Sequence, residues 1–366
     1  MASEIQEGFN IEAARNARKI EPFITDYLAD DKSFGYEDRV NYYRSLKDKL
    51  GIASVRTEFR MKDLVKKDGT WNEETALRYG DSLQAMKEAG LDTPTIVLFT
   101  PADWMYKQAK TNPEQFLDLY GRYAKGVAEI CRGKGVAPAR VQVMNEVNTS
   151  FQTKVGFETT IALIQKTAEI FKKDFPETKI ITTVLTEPSK DWREYTTKLL
   201  KTAGDNLDGI GFDYYPGTYE YPANIPIVGK KPYEAFAGKT PYSWIATEKQ
   251  QGALKGKEVI LAEIGVPALT AESKFQRFGY DRILQTLDHF FLSLERQGTP
   301  AKEVFSAIGF FQGGHVQGVD TKTPGGVDFF PWTLLRKNSA GVFEPTNAGR
   351  RLKDLIRTRI NPSLSV

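Results

Sequence analysis

The stretch RVQVMNEVN, residues 140–148, is an apolar segment that ends abruptly in polar residues. Asn145, Glu146 and Asn148 follow two valines and a methionine. Burying an ionised carboxylate is costly unless it is paired or hydrogen-bonded, so a strand that ends in this way either solvates these groups or uses them. The stretch therefore predicts a buried strand with candidate functional groups at its carboxyl end.

Seven further apolar segments alternate with amphipathic ones along the chain. They lie at 7–11, 52–61, 93–100, 179–188, 207–216, 258–267 and 304–314. Near-continuous apolar runs are typical of parallel strands that are covered on both faces. Eight strand–helix units spread over the whole length predict an α/β fold with a single (β/α)₈ barrel domain, residues 1–366. An open doubly wound sheet is the alternative, but neither of its phosphate-binding glycine motifs occurs.

One of the predicted helices is especially clear. In residues 112–133, Asn112 is a good N-cap, Pro113 suits the first helical position, and apolar residues recur on one face. Cys131 falls on that face, so it is predicted to be a core residue and not a nucleophile.

Composition excludes several classes of partner. The 366 residues are 40% hydrophobic and 27% charged, and 50 basic and 47 acidic residues give a net charge of +3. This balance does not indicate nucleic acid or a membrane surface as a partner. The single cysteine excludes an intramolecular disulfide and a CxxC metal site. A monomer is expected.

The beginning of the sequence leaves two compartments open. MASEIQEG, residues 1–8, lacks the apolar core of a signal peptide, and no segment approaches the roughly 18 apolar residues of a membrane span. We expect either an intracellular protein or a secreted or periplasmic one whose leader has been removed.

Acidic residues at the predicted strand ends are the catalytic candidates, because barrel active sites lie at the carboxyl ends of strands. These residues are Glu58, Asp103, Glu146, Glu187, Asp213 and Glu263. For most of them a structural ion pair or helix cap is a sufficient explanation. Glu146 and Glu263 differ because they end the fourth and seventh strands, which face one another across a barrel. Two carboxyl groups about 5–5.5 Å apart are the apparatus of a retaining glycosidase.

This arrangement resembles the clan A glycoside hydrolases, which are (β/α)₈ retaining enzymes. The resemblance rests on Asn145-Glu146 ending strand four and Glu263 ending strand seven. Arg56 on strand two is similar to the clan's active-site arginine. GFDYYP, residues 211–216, resembles the strand that carries a tyrosine beside the nucleophile. FFPWTLLRKNSAGVFEPTNAGRRL, residues 329–352, resembles the clan's aromatic loop, short hairpin and last helix.

The resemblance implies a role for each matching residue. Glu146 would be the acid/base and Glu263 the nucleophile, while Asn145 would hold the hydroxyl at C2 of the sugar. Either Tyr214 or Tyr215 would orient Glu263, and the sequence does not choose between them because adjacent strand residues point opposite ways. A glycosidase of this type implies no cofactor and no metal, with a poly- or oligosaccharide as substrate.

Further candidate contacts come from residues that follow strand ends, where aromatic rings can stack on sugars. They are Trp104, Asn148, Gln312, His315 and Trp332. The eighth strand departs from the clan, since many families end it in tryptophan and this chain has Phe310-Phe311-Gln312. The sugar is therefore left open.

Several functions remain as alternatives. The first is an endo-acting β-glucanase or β-galactanase, and the second is a transglycosylase that uses the same carboxylates. A non-catalytic carbohydrate-binding barrel would be expected to lack one of the two glutamates. A Mg²⁺ site built from Glu58, Glu146 and Glu187 is also conceivable, although such sites usually include a lysine base. Two distant histidines, His289 and His315, argue against a zinc site or a Ser-His-Asp triad.

Overall fold

Eight parallel strands pair in chain order, and the first also pairs with the last, so the sheet closes into a barrel. The computed structural model describes residues 19–26, 35–186, 191–214, 242–264, 291, 301–310 and 334–361. The strands are β1 Glu21–Asp26, β2 Ser54–Arg60, β3 Thr95–Phe99, β4 Arg140–Val143, β5 Lys179–Leu185, β6 Gly209–Tyr214, β7 Glu258–Ile264 and β8 Ala307–Phe310. The predicted (β/α)₈ barrel is confirmed.

Helices surround the barrel. They are α1 Tyr36–Leu50, α2 Met61–Leu64, α3 Glu73–Glu88, α4 Asp103–Thr111, α5 Pro113–Gly133, α6 Ser150–Val155, α7 Phe157–Asp174, α8 Trp192–Ala203, α9 Tyr242–Gln251, α10 Ala301–Val304 and α11 Asn347–Leu355. A 3₁₀ turn follows α8 at Gly204–Asn206, and a π-helical turn follows α11 at Ile356–Ile360. A short antiparallel pair, β9 Leu335–Lys337 and β10 Phe343–Pro345, precedes α11. None of the helices in the described ranges has the length and hydropathy of a membrane span.

The first strand of the barrel lies later in the chain than predicted. The segment 7–11 is outside the described residues, whereas the strand that closes the barrel is β1, with the sequence EPFITD. Pro22 and the terminal Asp26 are unfavourable in strands, so only three strand-favouring residues lie between them and the run is too short to stand out. The first strand of the barrel is therefore β1, and the strand at 7–11 stays a prediction.

Helix α5 begins and is buried as predicted. The Asn112 side chain accepts a hydrogen bond from the Gln115 backbone N–H at 3.1 Å, and Pro113 is the first helical residue. Cys131 is buried in the layer between helices and barrel, which confirms its predicted place in the core.

Strand side chains alternate between an outer and an inner layer. On β3 and β4 the outer layer contains Ile96, Leu98, Val141 and Val143, which belong to the large cluster shared with the helices. A second, smaller cluster comes from the opposite faces of four strands and fills the inside of the barrel. Its members are Phe23, Ile181, Ile260, Ala262 and Ala307.

A cluster of charged side chains lies at the amino end of the barrel, with Arg140 and Glu258 buried at its centre. Arg140 donates to both oxygens of Glu21 at 3.0 and 2.9 Å and to both oxygens of Glu258 at 3.2 and 3.0 Å. Glu258 also accepts from Ser306 at 2.8 Å and lies 3.3 Å from the Lys179 ammonium. Burial alone would raise the pKa of Glu258, but Arg140 and Lys179 overcome this and hold the pKa below its usual value.

Removing Arg140 should therefore be strongly destabilising. We expect Arg140→Leu to lower the free energy of unfolding by about 3–5 kcal/mol, because Glu258 would keep its burial and lose its main partner. Urea denaturation followed by circular dichroism measures this change. Arg132→Leu is the matched control: its exposed ion pair with Asp174 should be worth less than about 1 kcal/mol. Equal losses in the two variants would contradict a stabilising role for the buried cluster.

Candidate active site

Arg56 is the centre of a polar network at the carboxyl end of the barrel. Its side chain is buried, and Nη1 donates to Glu263 Oε1 at 2.7 Å and to Thr25 Oγ1 at 3.2 Å. Nη2 donates to Asn145 Oδ1 and Nε donates to Gln142 Oε1, both at 2.8 Å. One guanidinium thus connects β1, β2, β7 and the end of β4. A rigid planar donor set of this kind fixes the direction of the carboxylate it pairs with.

A β-bulge turns Glu263 toward this network. In the β6–β7 ladder Phe212 is opposite Leu261, but the next pair is Asp213 and Glu263, so Ala262 is an extra residue. Strict alternation from Leu261, which packs in the outer layer, would also point Glu263 outward. The extra residue reverses the alternation and directs the carboxylate inward, where it reaches Arg56.

The end of β4 has an unusual backbone. Met144 has φ of 60° and Glu146 has φ of 47°, both in the left-handed region that residues with a Cβ seldom adopt. As a result Met144 packs in the outer core and Asn145 reaches Arg56. Such strain costs of order 1–3 kcal/mol per residue and persists where surrounding contacts hold it, commonly at functional sites. Here the Thr183 hydroxyl accepts from the Glu146 backbone N–H at 2.9 Å.

Three donors fix the Asn145 amide. Its Oδ1 accepts from Arg56 Nη2 at 2.8 Å and from Gln142 Nε2 and Thr183 Oγ1, both at 2.9 Å. Three donors on one atom identify it as the oxygen of the amide. Among the described residues no acceptor binds Nδ2, so this group of Asn145 can donate to a ligand.

The carboxyl groups of the site differ in their surroundings. Burial, followed by the nearby Glu263 carboxylate, raises the pKa of Glu146 to about 7, while Arg56 opposes the shift. Burial also raises the pKa of Glu58 to about 6, against the hydrogen bond from Thr100 and the charge of Arg56. Glu263 is in an ion pair and Glu146 forms none with the described residues. The site thus holds a Glu263 paired with a guanidinium and a Glu146 whose raised pKa lets it carry a proton near neutral pH.

Two predicted site residues lie in structural positions. Asn148 is buried, and its amide forms two hydrogen bonds with the Leu185 backbone, at 2.8 and 2.9 Å, which join the β4 loop to β5. Tyr214 is buried in the outer core layer, on the opposite face of β6 from Asp213. Trp104, in the first turn of α4, is half-buried against the core.

The remaining predicted contacts have no described position. Tyr215, Gln312, His315 and Trp332 lie outside the described residues, as does Glu187 of the alternative Mg²⁺ site. Their roles stay predictions. Within the described part of the chain, no group of three or more His, Cys, Asp and Glu side chains is arranged to hold a metal ion.

Sequence reasoning missed two members of the network, Gln142 and Thr183. Each lies on the inner face of a strand, among apolar neighbours, and hydrogen-bonds Asn145. A polar residue in the middle of an apolar strand was the available signal, since such a group is buried only when it has partners.

A protein-family model matches part of the chain. The model described as glycosyl hydrolase family 53 matches residues 98–227, about a third of the chain, from the end of β3 to beyond β6. The matched part includes Asn145 and Glu146. The match to this family model identifies the chain as a glycoside hydrolase. The sequence resemblance to the clan A glycoside hydrolases is confirmed. No curated protein matches the sequence.

Solved structures of other glycoside hydrolases share the fold. The family 53 catalytic domain from Ignisphaera aggregans is 14% identical, with a TM-score of 0.58 over 86% of this chain and 88% of its own. A psychrophilic family 10 endo-β-1,4-xylanase is 16% identical, with a TM-score of 0.56 over 93% and 98%. The family 1 β-glucosidase from Thermotoga maritima is 13% identical, with a TM-score of 0.56 over 88% and 86%. At these identities the likeness concerns the barrel.

Proposed function

We propose that this glycoside hydrolase is a retaining endo-β-glycanase with Glu263 as nucleophile and Glu146 as acid/base. The observation that supports it best is the unequal pair: Glu263 is bound by Arg56 at 2.7 Å, and Glu146 has a pKa of about 7. A double displacement needs one ionised and one protonated carboxyl group, set apart by their surroundings.

The chemistry follows from this pair. A Glu263 oxygen attacks the anomeric carbon while the Glu146 proton moves to the leaving glycosidic oxygen, which breaks the C–O bond. The glycosyl-enzyme is then an ester, so Glu263 has lost its charge and Glu146 has gained one. Glu146 next removes a proton from water, which attacks the anomeric carbon and restores both groups. Asn145 Nδ2 would donate to the sugar hydroxyl at C2 throughout.

We propose a β-1,4-galactan as the substrate. The sequence left β-1,3-glucans and β-1,4-galactans open, and the family 53 match supports the galactan because that family is one of β-1,4-galactanases. We also propose that residues 1–366 form one domain and that the enzyme acts as a monomer.

One experiment tests both the substrate and the stereochemistry. The wild type is incubated with β-1,4-galactan, β-1,3-glucan and β-1,4-xylan, and ¹H NMR follows the anomeric signals of the first product. We expect the β-anomer to appear first, on galactan, with a fall in viscosity that precedes most of the reducing-sugar release. An α-anomer appearing first would overturn the double displacement. Longer oligosaccharides among the products would instead favour transglycosylation, and no cleavage of any glycan would overturn the proposal.

The raised pKa of Glu146 makes a prediction about pH. Glu146 must be protonated to act as the acid, so kcat/KM is expected to fall about tenfold per pH unit above about pH 7. Initial rates on the polysaccharide from pH 5 to 9 measure this limb. An aryl glycoside with a good leaving group needs little acid assistance and serves as the control, because its rate should fall less steeply. A polysaccharide rate that still rises at pH 8 would contradict the assignment.

A further inference from the structure

Asp213 is a buried carboxyl group that the proposed mechanism does not use. It lies on β6, is fully buried, and neither of its side-chain oxygens has a hydrogen-bond partner among the described residues. An unsatisfied buried polar group costs stability and calls for an explanation.

The strand geometry directs Asp213 into the barrel. A Cβ placed on Gly211, two residues earlier on β6, would lie 2.8 Å from the Ala262 Cβ and 2.8 Å from Thr183 Cγ2. Ala262 belongs to the inner cluster, so Gly211 faces inward, and Asp213 shares that face because strand side chains alternate. Asp213 is also the direct neighbour of Glu263 in the β6–β7 ladder.

The surroundings favour the neutral acid. Burial raises the pKa of Asp213 well above its usual value and the Glu263 and Glu146 charges raise it further, while Arg56 and the Thr183 hydroxyl oppose these effects. Thr183 is close but its single proton is already donated to Asn145. A neutral carboxyl group retains one O–H donor, and Glu263 is the carboxylate beside it in the ladder.

We propose that Asp213 is a positioning residue that donates its O–H to the Glu263 carboxylate when substrate is bound. This inference rests on the proposed function of Glu263. The sequence left the orienting role open between Tyr214 and Tyr215; Tyr214 packs in the outer layer, and Tyr215 lies outside the described residues. Hydrogen bonds of catalytic groups are often long in the free enzyme and tighten in the complex, which agrees with the absence of this bond here.

The neutral state of Asp213 can be detected through the pH dependence of the protein's stability. Because the folded-state pKa is raised, folded protein keeps the Asp213 proton where unfolded protein has lost it, so Asp213 makes stability fall as the pH rises above about 4. Asp213→Asn removes that dependence. The denaturation midpoint of the variant, taken relative to that of the wild type, should therefore rise between pH 4 and pH 7. Glu258→Gln is the matched control: the pKa of Glu258 is lowered, so its contribution changes only at about pH 4.5 and below, and the difference in midpoint from the wild type should stay constant between about pH 5 and pH 7.

The decisive experiment compares Asp213→Asn with Asp213→Leu. The amide still donates, so Asp213→Asn should keep kcat within a few-fold of the wild type. The Asp213→Leu variant cannot donate and should lose about 10- to 100-fold in kcat with little change in KM, as expected for a misplaced nucleophile. Wild-type kcat in Asp213→Leu, or an equal loss in both variants, would overturn the proposal.

Stability separates this inference from the function on which it depends. If the wild type cleaves no glycan, the proposed function fails, while the pH dependence of the midpoints still tests the protonation state. A midpoint difference between Asp213→Asn and wild type that is constant from pH 4 to pH 7 would overturn the neutral Asp213.

Discussion

Glu263→Gln is expected to lower kcat/KM on the polysaccharide by about 10⁴-fold or more, the usual effect of removing a nucleophile. Glutamine has nearly the same size and can still accept from Arg56, but its amide oxygen is a far weaker nucleophile and carries no charge to stabilise the developing positive charge on the sugar. Initial rates at pH 6 measure the loss. A mechanism-based fluorosugar should also label the wild type and leave this variant unlabelled, as mass spectrometry would show.

The control for this result is the same substitution at a distant site. Glu129 lies on α5, and its side chain is half exposed, so Glu129→Gln should retain wild-type activity. The unfolding midpoint of Glu263→Gln must also be measured, to separate lost chemistry from lost folding. Activity within tenfold of the wild type in a folded Glu263→Gln protein would remove Glu263 from the mechanism.

Glu146→Ala is expected to affect substrates unequally. Polysaccharide cleavage should fall by about 10²–10⁴-fold, because a poor leaving group depends on the acid. An aryl glycoside with a good leaving group should still form the glycosyl-enzyme, which would then accumulate for want of a base. Azide is a nucleophile that needs no base, so it should restore turnover and give a β-glycosyl azide.

The two substrates and azide together test the role of Glu146. Product analysis by NMR with and without azide measures the rescue and its stereochemistry. An equal loss on both substrates, with no response to azide, would argue that Glu146 binds substrate and does not transfer protons.

Much of the architecture could be predicted from the sequence because it depends on local patterns. Seven of the predicted strands overlap barrel strands, since buried parallel strands are continuous apolar runs. The first strand was missed because its burial comes from closure against β8, a contact between distant parts of the chain. Arg56 and Asn145 were selected by resemblance, and the network that joins them to Gln142 and Thr183 depends on backbone positions that composition does not encode.

The inward direction of Glu263 also could not be predicted. Simple alternation along β7 points this residue away from the site, and only the change of register at Ala262 turns it inward. Likewise, the positive φ values of Met144 and Glu146 could not be predicted, because neither residue is a glycine. In both strands the sequence identifies the chemical group, and the tertiary contacts decide its direction.

The bulge in β7 has a consequence for recognising distant homologues. Under the proposed mechanism, activity depends partly on the number of residues in β7, because one additional position separates the outward Leu261 from the inward carboxylate of Glu263. A diverged sequence could keep every residue of the candidate active site and lose that insertion. A motif search would still treat the site as intact. Its glutamate would face the surrounding helices. Between barrels that are only 13–16% identical, a one-residue gap in the seventh strand should therefore be given as much weight in an alignment as the glutamate itself.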